Sequence, residues 1–118
     1  MAGRILLVDD SPDFRAMAAE LLAAQGFELI ENAADGEQAL GAAARRCPDA
    51  VLMDINLPGR DGFSVAASLA ASCPGARIVL TSADMVQVPP WVLEACAAAA
   101  FVPKQELAAA DLRALLSG

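Results

Sequence analysis

The chain has no histidine and no tyrosine, one tryptophan and one lysine. Without histidine, histidine-based catalysis and histidine metal ligation are both excluded. Cysteine is scarce: Cys47, Cys73 and Cys96 are an odd number and form no CxxC, so neither a disulfide frame nor a zinc site is expected. Cys47-Pro48 and Cys73-Pro74 each fall where a helix should end before a strand, and the cysteines read as small, semi-buried residues of a cytoplasmic chain. No apolar run approaches membrane-spanning length. Ile5 to Val8 is also too short for the apolar region of a signal peptide, so no membrane association is expected. Basic residues are outnumbered, eight against fifteen acidic ones, giving a net charge of −7. That balance argues against direct nucleic-acid binding through a basic surface, though not against regulating a partner that binds DNA.

What is present is a core-forming composition with a repeated pattern. Hydrophobic residues make up 57% of 118 residues, which excludes a disordered chain and suits one domain over residues 1–118. Much of that fraction is alanine, so the core should be carried by the Leu, Ile, Val, Met and Phe of strands and helix faces. Four apolar runs end in residues suited to phosphate or metal chemistry. Ile5 to Val8 leads into Asp9-Asp10, Ala50 to Met53 into Asp54, Ile78 to Leu80 into Thr81-Ser82, and Phe101 to Pro103 into Lys104. Near-continuous apolar runs are the signature of buried parallel strands. Open parallel sheets hold ligands at the carboxyl ends of those strands.

Helical segments separate the runs. Ser11 and Pro12 open helix one as N-cap and first helical residue, Phe14, Met17, Ala18, Leu21 and Leu22 follow at helical spacing, and Gly26 closes it. Strand two, Phe27 to Ile30, alternates with Glu28 and Glu31 as an edge strand does. Helix two turns Ala39, Leu40, Ala43 and Ala44 inward and stops at Pro48; helix three carries Phe63, Ala66 and Leu69. Pro89-Pro90 can only start a helix, which places helix four over residues 90–98 after a long loop. Strand five is Ala100 to Val102, next to a proline tolerable only at an edge, and helix five runs from Gln105 to Leu116. Five alternating strands and helices make a doubly wound (βα)5 domain with a five-stranded parallel sheet. The order 2-1-3-4-5 puts strands two and five at the edges and the chain reversal between strands one and three.

Three carboxylates gathered at one edge repel one another, and a hard divalent cation with oxygen ligands relieves that repulsion. Mg²⁺ fits such a set, because it uses few protein carboxylates and spends its other positions on water and phosphate. Asp9-Asp10 read as the ion site, Asp54 as a carboxylate nucleophile toward a phosphoryl group, and Lys104 and Thr81 as contacts to the phosphoryl oxygens.

The motifs Leu7-Val8-Asp9-Asp10, Met53 to Gly59 with Asp61-Gly62, Leu80-Thr81-Ser82 and Pro103-Lys104 make the chain resemble the receiver domain of bacterial two-component response regulators, over essentially its whole length. The resemblance implies a flavodoxin-like α/β fold and phosphorylation of Asp54 by a sensor histidine kinase or phosphotransfer protein. It implies Mg²⁺ bound by Asp9, Asp10, Asp54 and the backbone carbonyl of Asn56. It places Thr81 and Lys104 at the phosphoryl group, Phe101 at the aromatic switch position, and Asn56 and Ala83 where the family tunes self-dephosphorylation. On this reading the chain is a signalling phosphoacceptor and not an enzyme acting on free substrates. Helix four, strand five and helix five would form the face that meets a downstream protein, a missing output domain or a second copy.

The departures cluster on that face: Phe101 lacks a hydroxyl, Gln105 stands where many members have proline, and Pro89-Pro90-Trp91 is unusual. Trp91 reads as a helix-four residue packed on the fold, with an exposed anchor for a partner as the alternative. Two other functions compete: a receiver-like interaction module independent of phosphorylation, and a magnesium-dependent phosphatase for small molecules. Asn56, where the phosphatase reading needs a second acid, and the short chain oppose the latter.

Overall fold

A computed structural model describes residues 3–117. Five parallel strands, β1 (Arg4–Val8), β2 (Glu28–Ala33), β3 (Ala50–Asp54), β4 (Arg77–Ser82) and β5 (Ala100–Pro103), form one sheet in the order β2-β1-β3-β4-β5. The helices are α1 (Pro12–Ala24), α2 (Gly36–Arg45), α3 (Gly62–Ser72), α4 (Pro90–Cys96) and α5 (Leu112–Ser117). The expected order and edge strands are therefore found.

Strand alternation divides the core in two. Leu6, Val8, Val51, Met53, Ile78 and Leu80 face α2, α3 and α4; Ile5, Leu7, Ala50, Leu52 and Val79 face α1 and α5. The central strands are apolar on both faces because helices cover both. Alanine contributes more than the composition suggested: Ala39, Ala42 and Ala43 are the buried face of α2, while Ala44 is exposed and Leu40 half-buried. Met17 of α1 is likewise exposed, leaving Phe14, Ala18 and Leu22 as its buried stripe.

Capping follows the local chemistry. The Ser11 hydroxyl accepts from the Phe14 N–H, Asp35 from Gln38 and Asp61 from Ser64. Helix α4 ends at Ala97, whose φ of 61° is left-handed. β2 runs to Ala33, past the expected Ile30, because Glu31, Asn32 and Ala33 pair with Leu6, Leu7 and Val8 after an irregularity in register. Helix five is divided. Lys104–Ala109 form a 3-10 turn, Ala110 is extended, and the Asp111 carboxylate accepts from the Ala114 N–H to start α5 afresh.

Two expectations fail on the surface and in the cysteines. Trp91 is 71% exposed at the start of α4 and does not pack on the fold. Cys47 and Cys73 form a disulfide, with Cα atoms 5.7 Å apart; Cys96 is free and buried. The cause is topological: β3 and β4 are neighbours, so the helices that precede them end side by side, each in a Cys-Pro.

Candidate functional site

The carboxyl ends of β1, β3 and β5 converge on one acidic cluster. One ligand oxygen each from Asp9, Asp10 and Asp54 lies within 4.8 Å of the others. Asp9 is fully buried, Asp54 nearly so, and Asp10 faces solvent. Each buried carboxylate is held at both oxygens. Asp9 Oδ1 accepts from the Ser11 N–H at 2.9 Å, and Asp9 Oδ2 pairs with Lys104 Nζ at 2.7 Å. Asp54 Oδ1 accepts from the Asn56 N–H at 2.9 Å, and Asp54 Oδ2 pairs with the same ammonium at 3.1 Å. Lys104 Nζ also stands 4.1 Å from the centre of the Phe14 ring.

This geometry sets the protonation chemistry. Burial raises the Asp54 carboxyl above its ordinary value, and the Asp9 charge adds to that; the Asn56 N–H and Lys104 only partly offset it. Burial opposes the Lys104 charge, but its bonds to Asp9 and Asp54 outweigh this and raise it. Three carboxylates whose oxygens lie within 4.8 Å of one another suit a hard divalent cation. The donors present therefore fit Mg²⁺.

Of the residues singled out in the sequence, Asp9, Asp10, Asp54 and Lys104 meet directly, with Asn56 beside them. Thr81 ends on the strand adjacent to Asp54, but its buried hydroxyl donates to the Val102 carbonyl at 2.6 Å instead of pointing into the cluster. Phe101 is half-buried on β5 against the α2–α4 side of the core, and Ala83 is exposed. Asp84 escaped the sequence reading, although it is bonded to Asn56. Its one signal is position, three residues past Thr81 in the loop that leaves β4.

Residues 5–117 match the family described as the response regulator receiver domain. The chain is 39% identical over 83 residues to the chemotaxis protein CheY of Bacillus subtilis, covering 70% of this chain and 69% of that protein. It is 42% identical over 80 residues to a protein-glutamate methylesterase/protein-glutamine glutaminase of Anaeromyxobacter dehalogenans, covering 67% of this chain. It spans only 24% of that relative's length. Among solved structures, the response regulator TrrA of Thermotoga maritima, in complex with Mg²⁺ and BeF, superposes with a TM-score of 0.76 at 33% identity. That match covers 87% of this chain and 86% of TrrA.

Proposed function

This chain belongs to the response regulator receiver domain family, and on that premise we propose that residues 1–118 are one phosphoacceptor switch of a two-component phosphorelay, with Asp54 as the acceptor. The observation that carries the proposal is the Lys104 ammonium, held between Asp9 and Asp54 beside the three clustered carboxylates. A sensor histidine kinase or phosphotransfer protein supplies the phosphoryl group. An Asp54 oxygen attacks phosphorus, the phosphorus–nitrogen bond of the donor phosphohistidine breaks, and an acyl phosphate forms on Asp54.

Asp9, Asp10, Asp54 and the Asn56 carbonyl would hold Mg²⁺, which supplies neutralisation of phosphoryl charge when bound. The chain's own residues do the rest. The Asn56 N–H and Lys104 fix the plane of the Asp54 carboxylate before attack. Lys104 then turns from carboxylate to phosphoryl oxygen. Thr81 leaves the Val102 carbonyl for the phosphoryl group, and the Phe101 ring moves inward in its wake. This shifts an existing equilibrium on the face of α4, β5 and α5, where a downstream protein, an output domain or a second copy docks. A TrrA complex with Mg²⁺ and BeF supports the same metal and phosphoryl chemistry here.

The test is incubation with acetyl phosphate and Mg²⁺. Labelling of the native chain, and none of Asp54→Asn, is the expected result. No label on the native chain, or equal label on the variant, overturns the proposal.

A further inference from the structure

Asn56 lies two residues beyond Asp54, and two hydrogen bonds tie its side chain to the end of β4 and the loop that leaves it. Its side-chain nitrogen donates to Asp84 Oδ2 at 2.9 Å and to Ser82 Oγ at 3.2 Å. The Asp84 N–H donates to the same Ser82 hydroxyl at 3.0 Å. Ser82 is fully buried at the end of β4, so the anchor is rigid, whereas Asp84 is exposed in the loop beyond it.

The direction of the Asn56 amide follows from the chemistry. An ionised carboxylate only accepts, so the nitrogen end must face Asp84, and a hydroxyl on the same side takes its second proton. Both amide protons are thereby used, and the planar group has one free polar atom, the carbonyl oxygen. That oxygen can accept from a water near Asp54, and its direction is set by the bond on the far side of the amide. A charge-assisted bond makes the stronger of the two tethers.

We propose that Asp84 is a positioning residue for the Asn56 carboxamide and that it thereby sets the lifetime of the acyl phosphate on Asp54, an inference that rests on the phosphoacceptor reading above. In the hydrolysis, water oxygen bonds to phosphorus, the bond between phosphorus and the Asp54 oxygen breaks, and the water gives up its proton to the departing inorganic phosphate. Asn56 presents the water; Asp84 touches neither water nor phosphoryl group. Losing the tether lets the amide rotate, and misaligned nucleophiles react more slowly.

The experiment follows loss of label from chain phosphorylated with acetyl phosphate and desalted into Mg²⁺. Asp84→Ala is expected to slow hydrolysis on the order of threefold to tenfold. Asp84→Asn, which keeps an acceptor but drops the charge, should slow it less than Asp84→Ala does. In the Asn56→Ala background, Asp84→Ala should have no further effect. Equal rates for Asp84→Ala and native chain, equal slowing by both Asp84 variants, or additive effects in the double variant would overturn the proposal. A second readout needs no phosphate: the Asn56 side-chain amide resonances of the Mg²⁺-bound chain should move in both variants, and further in Asp84→Ala than in Asp84→Asn. If the native chain takes no label, the phosphoacceptor reading and the lifetime claim fall together, and the amide resonances still decide whether Asp84 positions Asn56.

Discussion

The Lys104 ammonium stands 2.7 Å from Oδ2 of Asp9, a fully buried residue that also belongs to the cluster suited to a cation. One positive charge is therefore shared between the two carboxylates that sit deepest, Asp9 and Asp54. Removing one partner of a buried ionic group leaves the others uncompensated, which costs far more than the intact pair contributes. Lys104→Ala should destabilise the chain by about 3 kcal/mol at neutral pH in the absence of divalent cation. Mg²⁺ should return more stability to the variant than it adds to the native chain, because it then replaces the missing charge. Urea titrations of both chains with and without Mg²⁺ measure this, and an equal Mg²⁺ increment in the two would refute the account.

The pH dependence follows from the same contacts. Asp54 is raised above 3.8 by burial and by Asp9, against the opposing Asn56 N–H and Lys104. A group whose folded value lies above its unfolded one supplies stability below the unfolded value and loses it as pH rises through the folded one. At neutral pH the ionised Asp54 is therefore a net burden on the apo fold. Asp54→Asn should melt a few degrees higher than the native chain at pH 7 without divalent cation, and the gain should shrink as pH falls toward 3.8. Lys104 has the same sign at the other end of the scale: raised above 10.5 by Asp9 and Asp54 despite its burial, it supports the fold until strongly alkaline pH. Melting curves across pH check both, and an Asp54→Asn chain less stable than native at pH 7 would contradict the first.

Gly62 sets the backbone beneath the acceptor. A Cβ there would lie 2.5 Å from the Asp54 carbonyl oxygen and 2.6 Å from the Ile55 Cα, both backbone atoms that cannot swing aside. Gly62→Ala should cost about 2 kcal/mol or more through overpacking and slow labelling of Asp54 by displacing it. Gly75→Ala, with nothing within 4 Å of the added carbon, should stay within about 0.5 kcal/mol of native. Thermal melts with acetyl phosphate labelling separate the two, and native-like labelling by Gly62→Ala would break the link.

The strands were legible because each central one is apolar on both faces and ends in its own reactive residue, so sheet order and site emerge from one pattern. Asp9, Asp10, Asp54 and Lys104 were found for that reason. Asp84 was not, because its role depends on a loop conformation that brings it to Asn56, and no periodicity encodes that. Helix five reads as one piece from Gln105 to Leu116, with no proline or glycine between them. The Asp111 cap, worth about 1 kcal/mol, restarts the helix there. Trp91 reads as a helix-four residue packed on the fold, yet a two-proline start to a seven-residue helix offers little surface to cover it.

The disulfide shows how parity misleads: three cysteines need only two neighbours. Cys47 and Cys73 precede β3 and β4, so their bond lies at the end of the sheet opposite Asp54 and encloses β3 and α3 between residues 26 positions apart. In the chain-entropy account, closing a loop of that length stabilises the fold by roughly 3 kcal/mol. Cys47 is exposed, so a reductant can reach the bond, and the released Cys73 remains packed against the core. Reduction, or Cys47→Ser, should lower the urea midpoint by a corresponding amount and leave acetyl phosphate labelling of Asp54 within about twofold of native, since no helix or strand end of the site is cut loose. Thiol titration of the denatured, unreduced chain should find Cys96 alone. Three reactive thiols in chain purified without reductant, or a midpoint unmoved by reduction, would refute the account.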